Sequence, residues 1–182
     1  MQIIMDMDEV IVDFLDPLLV EYSKKVGFGG YLSRNDITQY YLTSTMREIF
    51  KKEGFFVALP PLPGAIEGMR KLKSSGHDVV VATSPSGLPH IALEKMVWFR
   101  IWLPEFVEHM HITDRKDRLI GDIIVDDAPH HLLSSTCAHK IVMDRRYNRH
   151  LEDMHRVCDW NGLLTTIDYL SINPRYRLEM GV

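Results

Sequence analysis

Four short apolar runs constrain the fold more than anything else in this chain. They occupy residues 2–5, 78–82, 123–125 and 140–143, are rich in Val and Ile, and are unbroken by polar alternation. Each gives way to a polar cluster. Such runs suit strands buried on both faces, as in a parallel sheet covered by helices. Between them lie helical patterns at 64–74, 91–102, 129–134 and 160–171. Gly76 follows the first of these, where a left-handed helix cap is expected. The alternation of strand and helix reads as an α/β fold with a doubly wound parallel sheet flanked by helices.

One stretch breaks this rhythm. Residues 14–59 offer no convincing buried strand but carry two or three helical patterns. In the first, 15–26, Leu15, Leu18, Leu19, Tyr22 and Val26 share a face; the second, 43–53, has Thr43 or Ser44 at its N-cap. Gly27-Phe28-Gly29-Gly30 is a turn between them. Three prolines in Leu59-Pro60-Pro61-Leu62-Pro63-Gly64 return the chain to the core as a stiff extended segment. Residues 14–59 are therefore expected to form a small helical insertion after the first strand, on a core made of 1–13 and 60–182. Residues 173–182 read as a polar tail.

Composition narrows the partners. The chain has 182 residues, 46% of them hydrophobic and 25% charged, which suits one globular domain with an insertion. Its 21 Lys and Arg against 25 Asp and Glu leave a net charge of −4, the wrong sign for binding a nucleic-acid polymer. The two cysteines, Cys137 and Cys158, cannot build a disulfide framework and are expected as buried thiols in a reducing compartment. No apolar run is long enough to span a bilayer, and the N-terminus enters strand-like sequence without a cleavable apolar segment. The expectation is a soluble cytoplasmic protein.

The chemistry sits where the strands end. Asp6-Met7-Asp8 follows the first run, Thr83-Ser84-Pro85 the second, and Asp126-Asp127 the third. In an open parallel sheet ligands bind beyond the carboxyl ends of the strands, so these groups are delivered to one rim. Four clustered carboxylates repel one another unless a cation intervenes, and Mg²⁺ prefers such hard oxygen ligands. Lys116, ten positions before Asp126, supplies a fixed positive charge to the same rim. Taken singly, each motif is an ordinary helix cap or turn; together, in this order, they define a site. The nine histidines lack zinc-ligand spacing and read as surface or supporting groups. Arg145, Arg146 and Arg149 read as a solvated loop, and no P-loop motif for a kinase occurs.

The order Asp6/Asp8, Thr83, Lys116, Asp126/Asp127 resembles the four-motif signature of haloacid dehalogenase superfamily phosphatases, over roughly residues 2–170. Asp6-Met7-Asp8-Glu9-Val10, Asp13-Phe14, Gly54-Phe55-Phe56, Leu62-Pro63-Gly64-Ala65, Thr83-Ser84-Pro85 and Asp126-Asp127 look more narrowly like the 5'(3')-deoxyribonucleotidases. The resemblance implies a Rossmann-like core with a small helical cap after the first strand. It implies a Mg²⁺-dependent phosphomonoesterase acting on nucleoside monophosphates, with a homodimer as the assembly seen among relatives. Asp6 would be the nucleophile, forming an aspartyl-phosphate, and Asp8 the acid and base. Thr83, with Ser84 behind it, would bind the phosphoryl oxygens, and Lys116 would offset transition-state charge. Asp6, Asp8, Asp126 and Asp127 would form the metal site, with the direct ligand among the last pair left open. Phe14 and Phe56 would flank the base. Departures are Glu9 where glycine is common, Ala128 where some relatives have arginine, and a cap without tryptophan. The alternatives are a phosphatase for another small ester, or a catalytically silent nucleotide-binding module.

Overall fold

The computed structural model describes residues 1–30 and 32–173. Beyond Asn173, the polar tail expected at 173–182 lies outside the described residues. In chain order the elements are β1 (Gln2–Met5), α1 (Leu15–Val26), α2 (Ser44–Phe50), α3 (Ala65–Ser74), β2 (Asp78–Thr83) and α4 (Pro89–Trp102). There follow β3 (Met110–Ile112), β4 (Ile123–Asp126), α5 (Pro129–Ser134), β5 (His139–Met143), β6 (His155–Val157) and α6 (Trp160–Ile172).

The six strands form one parallel sheet in the order β3-β2-β1-β4-β5-β6. Four strands were expected from their apolar runs. The two additional ones, β3 and β6, are three-residue edge strands whose sequences, Met-His-Ile and His-Arg-Val, carry no buried run. An edge strand contacts the core on less of its surface, so its sequence is freer to be polar. Strand order runs outward from β1 through β2 and β3 on one side and through β4, β5 and β6 on the other. That reversal between β1 and β4 opens a crevice at their carboxyl ends.

Alternate residues divide the core. Ile3, Met5, Val79, Val81, Ile123, Val125, Ile141 and Met143 pack with α3, α4 and α6 on one face. Ile4, Ala82, Ile124 and Val142 pack with Leu132 of α5 on the other. Two buried indoles fasten loops to this core: Trp98 Nε1 donates to Leu59 O at 2.8 Å, and Trp160 Nε1 to Val10 O at 2.8 Å. Gly76 follows α3 at φ +82, the left-handed position expected there. Cys137 is buried, but Cys158 is exposed, against the expectation of two buried thiols; it lies in the turn between β6 and α6. Among the described residues no helix is long and apolar enough to cross a membrane.

Residues 14–59 fold as α1 and α2 with connecting loops. α1 ends at Gly27, whose φ of +67 suits the left-handed cap. Thr43 caps α2, its hydroxyl accepting from Met46 N at 3.2 Å. α2 ends at Phe50, three residues short of the 43–53 pattern, and turns follow through Gly54 at φ +86.

Gly68 on α3 packs directly against the indole of Trp160. A Cβ built there would lie 2.2 Å from Trp160 Cε3 and 2.7 Å from its Cζ3. Glycine to alanine inside a helix normally gains about 0.5–1 kcal/mol. Here the indole is held by its bond to Val10, so overpacking is expected to win and Gly68→Ala to lose about 1–3 kcal/mol in urea unfolding. An unchanged or increased stability would contradict this packing.

Candidate active site

Asp6 continues the ladder beyond β1, its N–H donating to Val125 O of β4 at 2.9 Å. Its carboxylate therefore lies beside that of Asp126, the last residue of β4. Between them sits Lys116, which is 2% exposed and occupies a 3₁₀ turn before β4. Its Nζ lies 2.6 Å from Asp6 Oδ1 and 2.7 Å from Asp126 Oδ2. The other oxygen of Asp126, Oδ1, accepts from Ala128 N at 2.8 Å, so both its oxygens are committed. Asp127 accepts from the Tyr147 hydroxyl on Oδ2 alone. Asn148 Nδ2 braces the same loop through Asp127 O at 2.8 Å and Met143 O at 2.9 Å. Oxygens of Asp6, Asp126 and Asp127 all lie within 4.8 Å of one another.

Asp8 has a different partner, which the sequence analysis missed. Lys95 of α4 is fully buried. Its Nζ donates to Asp8 Oδ2 at 2.6 Å, Thr83 Oγ1 at 2.8 Å and Ser84 O at 3.0 Å. An ammonium has three donors, and all three are used. Asp8 Oδ1 is buried without a partner. The signal was present: Ile91, Lys95 and Trp98 fall on the buried stripe of α4, an unusual place for a lysine. Lys95 also changes the depth of the polar rim. Thr83 is fully buried with its hydroxyl turned to Lys95, whereas Ser84 lines the cavity and donates to Asp114, a further lining carboxylate missed from sequence.

Four carboxylates, Asp6, Asp8, Asp126 and Asp127, face two ammoniums, Lys95 and Lys116, leaving a formal charge of −2. Burial pushes the Asp127 carboxyl well above its ordinary range, reinforced by the charges of Asp126 and Asp6. Burial also raises Asp6, with Asp126 adding to the effect and Lys116 opposing it. Asp8 is raised by burial against the pull of Lys95. Burial alone would lower Lys116, but Asp126 and Asp6 outweigh it and hold the ammonium charged. Burial, with Lys116 close by, pushes the His131 imidazole down to about 4, so this cavity residue is neutral at physiological pH. A deficit of two charges among hard oxygen donors, with oxygens still free on Asp6 and Asp127, fits a divalent cation such as Mg²⁺.

These groups open into a cavity of about 470 Å³ whose far wall comes from residues 14–56. Phe14 and Phe56 both line it, but they stack on each other, with centroids 5.8 Å apart and planes at 16°. Phe50 and Phe55 meet this pair edge-on. Two rings in direct contact present one packed wall to the cavity. Tyr40 and Tyr41 are exposed and line the mouth, with Tyr40 set against the rings of Tyr147 and His130 at 5.4 Å each.

Glu9 holds this wall to the core. It takes φ +58, a backbone region in which glycine is unstrained. Its buried carboxylate accepts from Phe14 N at 3.0 Å and Leu15 N at 2.8 Å, at the start of α1, where an anion is favoured. The same carboxylate pairs with Arg145 Nε at 2.7 Å and Arg34 at 3.2 Å. Arg34 also binds Asp13 at 2.6 Å and Asp16 at 2.8 Å. Arg145 is therefore a buried clamp rather than part of a solvated loop; Arg149 does remain exposed, paired with Asp144.

The family model for 5' nucleotidase, deoxy (pyrimidine), cytosolic type C protein matches residues 1–170. The chain belongs to this family. Its members are phosphoric monoester hydrolases of the haloacid dehalogenase type. A Bordetella bronchiseptica protein described as a candidate 5'(3')-deoxyribonucleotidase is 30% identical, across 89% of this chain and 92% of its own. The human mitochondrial 5'(3')-deoxyribonucleotidase is 24% identical, across 90% and 82%. Among solved structures, a haloacid dehalogenase family hydrolase from Deinococcus radiodurans, with bound phosphate and sodium, superposes with a TM-score of 0.65 at 11% identity. That match covers 93% of this chain and 96% of the other. A D,D-heptose 1,7-bisphosphate phosphatase from B. bronchiseptica, complexed with magnesium and phosphate, gives 0.57 at 14% identity, over 92% and 98%. The shared feature is the fold, a parallel sheet flanked by helices.

The raised carboxyls of the acidic rim set a pH dependence. A carboxyl raised in the folded state costs nothing below its unfolded pKa, and the cost grows as pH rises through the folded value. Near neutral pH, Mg²⁺ at a hundredfold over its Kd is expected to stabilise by about 2.7 kcal/mol. At about pH 5 the gain should shrink, because protons compete more strongly with the cation for carboxyls that burial has raised. Thermal unfolding with Mg²⁺ and with EDTA at both pH values measures this; equal shifts at both, or none, would count against the cluster as a cation site.

Proposed function

We propose that the protein is a Mg²⁺-dependent phosphomonoesterase that dephosphorylates nucleoside monophosphates, deoxyribonucleotides foremost, through an aspartyl-phosphate on Asp6. One observation carries this reading: two carboxylates two residues apart, Asp6 and Asp8, are held by separate buried lysines, Lys116 and Lys95. Paired carboxylates in different surroundings take different chemical roles. The matched family and the relatives named as deoxyribonucleotidases support the substrate class.

In this reading Asp6, Asp127 and the backbone carbonyl of Asp8 hold the ion, and Asp126 orients the set by fixing Lys116. When bound, the ion neutralises the incoming phosphate. Asp6 attacks phosphorus through one of its carboxylate oxygens. The bond from phosphorus to the ribose oxygen breaks, and Asp8 gives that oxygen a proton. Asp8 then takes a proton from water, which attacks phosphorus and releases inorganic phosphate and Asp6. Lys116 offsets charge on the phosphoryl oxygens, with Ser84, on leaving Asp114, as the hydroxyl donor that lines the cavity beside it, while Thr83 stays turned to Lys95. Residues 14–59 act as a cap on the core of 1–13 and 60–182, their aromatic wall and Tyr40 facing the nucleoside.

A second reading keeps the chemistry and changes the ester. It is favoured by the mutual stacking of Phe14 and Phe56, which leaves no gap between these two rings. A panel of 5'- and 3'-monophosphates of ribo- and deoxyribonucleosides, with sugar phosphates alongside, separates the two in the presence of Mg²⁺ or EDTA. Nucleotides are expected to turn over, EDTA to abolish activity, and Asp6→Asn to lower kcat by at least about 1,000-fold with an unchanged circular dichroism spectrum. Equal turnover of sugar phosphates would defeat the nucleotidase reading. Activity persisting in Asp6→Asn would defeat the mechanism.

A further inference from the structure

We propose that Glu94 is a specificity-determining positioning residue. It holds the segment that carries Phe56 against α4, sets how far the aromatic wall stands from Asp6 and Asp8, and so favours esters whose leaving group is broad and flat. The proposal rests on the phosphatase reading above and deepens it, since it names what the far wall of the cavity selects and which residue keeps that wall in place.

Helix α4 carries two sets of contacts on neighbouring residues. His90, Glu94 and Trp98 recur every fourth position and so follow one side of the helix. Each meets the chain where it returns from the aromatic wall to the core. His90 Nε2 lies 2.9 Å from Lys51 O. Glu94 Oε1 accepts from Gly54 N at 2.7 Å, and Glu94 Oε2 accepts from Phe56 N at 2.9 Å. Trp98 Nε1 donates to Leu59 O at 2.8 Å. Three side chains, each one turn apart, thus track residues 51–59 in order. Glu94 makes the central contact with both carboxylate oxygens, and such charge-assisted bonds are about twice as strong as neutral ones. Gly54 sits at φ +86, so the turn into Phe55 and Phe56 has a defined shape that Glu94 closes.

Lys95, the next residue, faces the catalytic rim. Its Nζ lies 2.6 Å from Asp8 Oδ2 and 4.7 Å from the centroid of the Phe56 ring. Glu94 and Lys95 therefore hold Phe56 by its backbone and Asp8 by its carboxylate, from adjacent positions of one helix. Phe56 in turn carries the wall: it stacks on Phe14 and meets Phe50 and Phe55 edge-on. A wall kept at one spacing packs against a flat ring system of matching thickness and gives a small polar group little to touch. A glutamate kept only for its charge would not close both N–H groups of one turn.

Inorganic phosphate and a nucleotide separate the wall from the rim, because phosphate alone meets only the rim. Glu94→Ala is expected to raise KM for thymidine 5'-monophosphate about 10-fold, with kcat held within about threefold. Competitive inhibition by inorganic phosphate should keep a Ki within about threefold of the wild-type value. An unchanged KM in the folded variant overturns the proposal. So does a phosphate Ki that rises in step with KM, the mark of a site loosened as a whole. Where Glu94→Ala does not fold, Glu94→Gln keeps the side-chain length and one acceptor, and is expected to raise KM about threefold with the same steady Ki. A wild-type protein that hydrolyses no phosphate monoester would instead overturn the phosphatase reading.

Discussion

A single ammonium makes the site compatible with the sheet. Strand order places β1 beside β4, so Asp6 and Asp126 must emerge side by side from a buried edge. Two adjacent carboxylates in that setting repel and lose hydration. Lys116 lies within 2.7 Å of both and removes much of the penalty, at the cost of burying its own charge. Everything nearby follows from that bridge. Asp126 is consumed by it and by the turn into α5, Asp6 keeps one free oxygen, and Asp127 stands one residue further on, braced by Tyr147. The remaining charge deficit of the cluster is what a divalent cation and a phosphate group would complete.

Lys95 applies the same principle to Asp8 with a different result. Lys116 is shared between two acids, whereas Lys95 serves one acid and two groups of the β2 rim. The two aspartates of a three-residue motif therefore lie in distinct electrostatic surroundings. Glu9 extends the pattern outward, with its carboxylate held between Arg145 of the core and Arg34 of the segment beyond α1. Breaking one member of such a buried pair costs about 3–5 kcal/mol, which is why the aromatic wall is expected to stay seated.

Much of the fold was legible because buried parallel strands have no polar alternation to hide them. β1 was read at its observed limits, and β2, β4 and β5 to within one residue. The edge strands were not, since His155-Arg156-Val157 offers no apolar run and β3 is equally short. The acidic residues of the site follow strand ends, and strand ends are visible in sequence. Lys95 escaped because a lysine in a helix is ordinarily solvated, and only the tertiary packing of α4 shows which face is inside. Arg145 escaped for the same reason: its partner, Glu9, is 136 positions away. The mutual stacking of Phe14 and Phe56 was out of reach because side-chain packing, not spacing in the sequence, decides which rings meet.

The central claim is that Asp6 carries the phosphoryl group between the two half-reactions. Quenching a single turnover in acid, reducing with borohydride and sequencing the peptides by mass spectrometry tests it directly, because an acyl phosphate is reduced where a free carboxylate is not. The account predicts reduction at Asp6 alone, dependent on substrate. An unmodified Asp6, under conditions where inorganic phosphate has been released, would contradict it.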